Sequence, residues 1–180
     1  MIELGRIDIS TQVYMLSSHN SYSCEVNFYA ALHVMSYLKG RHNLRISLGP
    51  SYSTIEHKRF KDNYWTEFYV DVEESISPNV PTPLVNSFYL HMMVDSDYAG
   101  DKLIRISRTG FMIFCNMDLI NWLSKKHLTV EIAVFGNDFF AMKHGVETLR
   151  GLKYKLMMMD VPIEEPIYIY SDNMSIIYNT

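Results

Sequence analysis

Residues 88–124 read FYLHMMVDSDYAGDKLIRISRTGFMIFCNMDLINWLS, three apolar runs parted by turn-forming residues. FYLHMMVD, TGFMIFC and LINWLS have the length and the aromatic and branched content of strands. Asn116-Met117-Asp118 supplies a tight turn between the last two, so the stretch predicts a three-stranded antiparallel meander.

A long helical stretch follows, with Phe135, Phe139, Met142, Val146, Leu149 and Leu156 marking one apolar face. Gly145 and Gly151 interrupt it at a cost of about 1 kcal/mol each relative to Ala, tolerated where backbones approach closely or a helix bends. Pro162 and Pro166 then bracket a loop, and PIYIYSDN (166–173) is a short fourth strand. A helix-to-strand crossover lays that strand parallel to an earlier one in the same sheet. The expected fold class is therefore α/β, with a mixed sheet made of the meander and a parallel fourth strand.

If the fourth strand neighbours the first, Asp95 and Asp172 stand side by side at the carboxyl ends, where open α/β sheets place their sites. Asp138 rides on the intervening helix at the margin of its apolar face. Three carboxylates in one cleft repel one another unless a cation neutralises them. Magnesium, a hard cation that prefers oxygen ligands, is the natural choice, and a pair of such ions suits phosphodiester hydrolysis. Each acid also has a plainer role open to it. Asp95, like Asp97 and Asp101, could belong to a bend, Asp172-Asn173 could cap a helix, and Asp138 could face solvent.

Before the meander, residues 25–39 predict an amphipathic helix, with Phe28, Leu32, Met35 and Tyr37/Leu38 forming a stripe that needs a partner and Gly40 as its stop. Leu44, Ile46 and Leu48 alternate with polar residues as a short strand. From Ser51 to Ser87 periodicity is lost and Pro78, Pro81 and Pro83 accumulate, which predicts a linker or insertion. Its aromatic cluster, Tyr64, Trp65, Phe68 and Tyr69, suits docking on a neighbouring element better than base stacking. The expected divisions are 1–50, 51–87 and 88–180.

With 180 residues, 48% of them hydrophobic and 20% charged, the chain can bury one sizeable core. It holds no apolar run of membrane-spanning length, and MIELGRIDIS lacks the basic start and apolar stretch of a secretory signal, so an intracellular protein away from membranes is expected. Cys24 and Cys115 lie far apart outside any ligand spacing, and the seven histidines are scattered, which argues for reduced thiols and against zinc. The net charge of -4 hides a gradient: residues 100–156 carry nine Lys/Arg against five Asp/Glu, while residues 1–99 carry seven against eleven. Phosphate binding depends on such local excess more than on the whole-chain sum.

The ordered strings DSDYAGDK, RISRTGFMIF, INWLSKKHLTVE, FGNDFFAMKHGVETLRGLKYKL and YIYSDNMSIIYNT closely resemble the ribonuclease H region of copia-type retrotransposon polyproteins. LGRIDISTQVYMLSSH through AALHVMSYLKGRHN resembles the end of the adjoining reverse transcriptase and its connection. The resemblance implies a ribonuclease H-like fold that cuts the RNA strand of an RNA·DNA hybrid with divalent metal. By position, Asp95 matches the first-strand aspartate, Asp138 stands where the family has glutamate, and Asp172 matches the aspartate before Asn. Arg105, Arg108, Lys125 and Lys126 match the family's RRSRTG and SKK positions and would contact phosphates, which position a duplex without reading its sequence.

The departures from the family carry their own expectations. Asp138 is one methylene shorter than glutamate, Ile106 replaces one of the paired arginines, and Ala133-Val134 replace a pair of hydroxyl residues. The chain ends at Thr180, before the further helix, strand and acid of the family's full domain, so apolar surface at Tyr89, Met93, Ile167 or Ile169 is expected to lie uncovered. No Tyr-x-Asp-Asp string occurs, which excludes polymerase activity in this chain. The resemblance thus implies a ribonuclease H-like fragment with weak cutting or none, with RNA·DNA hybrid or RNA and the rest of a reverse transcriptase polyprotein as partners. A binding-only module, or a transposon remnant with no retained activity, is the alternative.

Overall fold

A computed structural model describes residues 6–49, 87–98, 105–128, 130 and 133–179. The linker expected over 51–87, with its prolines and aromatic cluster, lies outside the described residues except for Ser87, as does Asp101.

The three apolar runs form β1 (Phe88–Asp97), β2 (Arg108–Cys115) and β3 (Asp118–Lys126). β1 pairs antiparallel with β2, and β2 with β3. Asn116 takes a left-handed φ of 55° in the turn between β2 and β3, a conformation Asn tolerates better than most residues. The crossover helix is α3 (Val134–Met158), and β4 (Ile163–Tyr170) returns parallel to β1, giving the sheet order β3-β2-β1-β4. The meander and the parallel fourth strand both stand as the periodicity predicts.

Strand alternation decides what each face carries. Leu90, Met92 and Val94 of β1 join Phe111 and Ile113 of β2 on one face, and α3 packs there through Ala141 and Leu149. Ile167 and Ile169 also pack against this core, so two of the positions expected to lie uncovered face α3 instead. Small residues let the helix settle close to the sheet. A Cβ at Gly145 would lie 2.7 Å from Met92 Sδ, whereas one at Gly151 would meet nothing within 4 Å.

The expected apolar face packs on the sheet from Met142 onward, with Leu149 buried and Met142, Val146 and Leu156 against the core, but the first turns of α3 depart from it. The buried residues are Asn137, Asp138, Ala141, Gly145 and Leu149, while Phe135 and Phe139 are exposed and stack on each other with centroids 6.0 Å apart. Rings as large as these do not fit where Ala141 and Gly145 bring the backbones together.

Two further expectations are corrected. Pro166 lies inside β4 rather than in a loop before it; β4 is an edge strand, where proline's missing N–H is tolerated, and the β1–β4 register shifts between Tyr89 and His91. Residues 44–48 form no strand. They run beside Leu119 and Ile120 instead, and the Gly49 N–H donates to the Asp118 carboxylate at 3.0 and 3.2 Å.

On the second face of the sheet lie a 3-10 turn (Ile7–Ile9) and α1 (Ser10–Ser17). Ser10, Thr11 and Met15 there enclose a cavity of about 410 Å³ with Met93, Met112 and Trp122, and Met93 stays 43% exposed. The helix expected over 25–39 is α2 (Glu25–Gly40), and none of its residues is buried. A short α4 (Met174–Asn179) follows β4 and buries Ile176 fully. Among the described residues no helix is long and apolar enough to cross a membrane.

Candidate functional site

Because β1 and β4 run parallel, their carboxyl ends share one end of the sheet, and the first turns of α3 pass over it. Asp95, Asp138 and Asp172 are thereby brought to the same end, but in unequal settings. Asp138 is buried at 7% exposure, while Asp95 and Asp172 are exposed.

Alternation places Asp95 with Met93 and Asp97 on the α1 side, where all three line the cavity beneath that helix. It is the next residue, Ser96, that reaches α3. The Ser96 hydroxyl donates to Asp138 Oδ1 and accepts from Asn137 Nδ2 at 2.7 Å. From the other side, Asn173 Nδ2 donates to Asp138 Oδ2 at 2.7 Å. Asn173 also accepts the Ser175 N–H at 2.9 Å, so it caps α4 while holding Asp138. Both Asp138 oxygens are therefore engaged, and Asn137 Oδ1, fully buried, has no partner among the described residues.

The Asp95 carboxyl is pushed above the usual carboxylate range chiefly by partial loss of hydration. The Ser96 N–H, donating at 2.7 Å, opposes that push, while the negative charges of Asp172, Asp138 and Asp97 add to it. The acids thus feel one another electrostatically without being gathered into a cage. Among the described residues, no group of three or more His, Cys, Asp or Glu side chains is placed to hold a metal ion. Asp138 accepts from Ser96 and Asn173 on the α3 side of the sheet, while Asp95 lines the cavity on the α1 side.

The basic residues stand at the same end of the sheet. Arg108 lies opposite Asp97 in the β1–β2 register and opposite Lys126 in the β2–β3 register, and Lys125 is paired with Thr109. Arg105 precedes β2 with a left-handed φ of 53° and is exposed. Adjacent strand positions point to opposite faces, so Lys125 and Lys126 flank the sheet rather than form one patch.

Three residues of this network were not singled out as site residues by sequence reasoning: Ser96, Asn137 and Asn173. The capping role open to Asp172-Asn173 falls to Asn173, the residue before α4. No periodicity marks Ser96 or Asn137, whose roles arise from a contact across 41 residues.

With this geometry in place, half of the chain proves similar to Pol polyproteins of retrovirus-related transposons. The relatives are the "Retrovirus-related Pol polyprotein from transposon RE1" of Arabidopsis thaliana and its counterpart from transposon RE2 of the same organism. Each is 26% identical over 93 residues, covering 52% of this chain and 6% of the relative. These matches bear out the resemblance to a copia-type retrotransposon polyprotein, and they span only a small part of the relatives' length. No family model matches the chain. No solved structure matches it either.

Proposed function

We propose that residues 88–179 are a ribonuclease H-like unit of transposon Pol ancestry that holds an RNA·DNA hybrid or RNA and cuts it weakly or not at all. The similarity to transposon Pol polyproteins and the mixed sheet with β4 parallel to β1 support the ancestry. The observation that carries the loss of cutting is Asp138, whose two oxygens accept from Ser96 and Asn173. A carboxylate so held cannot swing to join Asp95 without giving up two hydrogen bonds from half-buried donors, each worth about 0.5–1.5 kcal/mol. Arg105, Arg108, Lys125 and Lys126 supply phosphate contacts, and an A-like hybrid is recognised by shape and 2′-hydroxyls.

Hybrid binding followed by fluorescence anisotropy over a salt series tests this reading. Affinity should fall linearly with the logarithm of salt concentration, and Lys125→Gln or Arg105→Gln should each lower the slope by about one. Affinity that is absent at low salt, or that ignores both substitutions, contradicts it and leaves a remnant without nucleic-acid binding.

A second reading keeps magnesium-dependent hydrolysis. The observation in its favour is that Asp95, Asp138 and Asp172 stand at one end of the sheet, where the Asp95 carboxyl, raised chiefly by lost hydration, also feels the negative charge of the other two, a repulsion that a bound cation would relieve.

A further inference from the structure

α2 is apolar on nearly every side, yet none of its 16 residues is buried. A helix of that character is normally enclosed by other protein. Its half-buried positions, Asn27, Ala31, Val34 and Leu38, form one face, and α1 is the helix it touches. The adjoining stripe is open, with Phe28 62%, Leu32 47% and Met35 65% exposed. What can cover it is written in the spacing. Glu25 lies seven residues before Leu32 and Lys39 seven after, at the two ends of the same stripe. They are the only carboxylate and the only Lys or Arg in α2.

We propose that this stripe is a self-association surface, on which α2 of a second copy of the chain packs antiparallel about a two-fold axis at Leu32. That operation sets Glu25 of each copy against Lys39 of the other and stacks Phe28 beside Met35 around the central Leu32. The interface is isologous, as in most homodimers, and the 3-4-3-4 spacing of Glu25, Phe28, Leu32, Met35 and Lys39 is that of an interhelical seam. A membrane surface is the poorer occupant, because interfacial helices carry several Lys or Arg residues on their polar face and α2 has Lys39 alone.

Analytical ultracentrifugation of the 180-residue chain, in a dilution series reaching about 100 μM, is the test. A monomer–dimer equilibrium is expected. Leu32→Glu should leave only monomer, with the far-ultraviolet circular dichroism unchanged. Glu25→Lys and Lys39→Glu should each raise the dimer dissociation constant about tenfold, since each sets two like-charge pairs across the axis. The double exchange Glu25→Lys/Lys39→Glu should restore wild-type association, an outcome that depends on the two-fold arrangement and not on either variant's stability. Monomer at every concentration overturns the proposal. So does a dimer indifferent to Leu32→Glu, failure of the double exchange to restore association, or binding to phosphatidylserine vesicles without self-association.

Discussion

Ser96 and Asp138 are joined by a hydrogen bond between the end of β1 and the second turn of α3, while the neighbouring Asp95 opens onto the opposite face of the sheet. One step along a strand therefore separates an acid that helps anchor the fold from one that lines a cavity. The carboxylates that look equivalent in sequence divide into a structural residue, Asp138, and two exposed charges, Asp95 and Asp172.

This division predicts unequal stability costs. Asp138→Ala leaves the Ser96 hydroxyl and the Asn173 amide without their acceptor and should lower unfolding stability by about 1–3 kcal/mol. Asp172→Ala removes an exposed charge and should change it by no more than about 0.5 kcal/mol. Urea unfolding of the two variants beside wild type checks the contrast; equal losses would mean that the Asp138 hydrogen bonds contribute nothing.

The Asp95 carboxyl predicts a pH dependence. Its folded value is raised above the ordinary 3.8, so the folded state holds the proton more tightly than the unfolded chain. The resulting stability is fully present below 3.8 and is lost as pH rises through the folded value. At neutral pH the ionised group therefore opposes folding, and Asp95→Asn should raise the melting temperature there. The gain should vanish near pH 3. Melting curves at both pH values decide, and a loss of stability at neutral pH would contradict the account.

The two glycines of α3 should respond to alanine with opposite signs. Gly151→Ala adds a methyl group in open space and should stabilise by about 0.5–1 kcal/mol through helix propensity. Gly145→Ala gains the same propensity but drives a Cβ to 2.7 Å from Met92 Sδ in a fully buried side chain. Overpacking of about 1–3 kcal/mol should outweigh the gain and leave a net loss of about 1 kcal/mol. Denaturant titration distinguishes the two, and stabilisation by both would show that Met92 has room to move.

The meander was legible because the apolar runs at 88–95, 109–115 and 119–124 have strand length and the Asn116 turn admits only one hairpin. The parallel return of β4 followed from the helix that crosses over between the meander and it. Periodicity marked Met142, Val146, Leu149 and Leu156 as core-facing, and along α3 it failed only in the first turns, where Asn137, Asp138 and Ala141 took the sheet-facing side and left Phe135 and Phe139 in solvent. It failed again at residues 44–48, whose alternation predicts a strand although those residues pair with none, and at Pro166, tolerated on the open edge of β4. For the site, topology brought Asp95 and Asp172 to one end of the sheet as expected. The commitment of Asp138 to Ser96 and Asn173 is a long-range contact that no local spacing encodes.

The most direct test of the central claim is magnesium-dependent cutting of an RNA·DNA hybrid by the wild-type chain beside its Asp95→Asn variant. With Asp138 held by Ser96 and Asn173, the two should leave the RNA strand equally intact while both bind the hybrid. Efficient magnesium-dependent hydrolysis by the wild type that Asp95→Asn abolishes would contradict it.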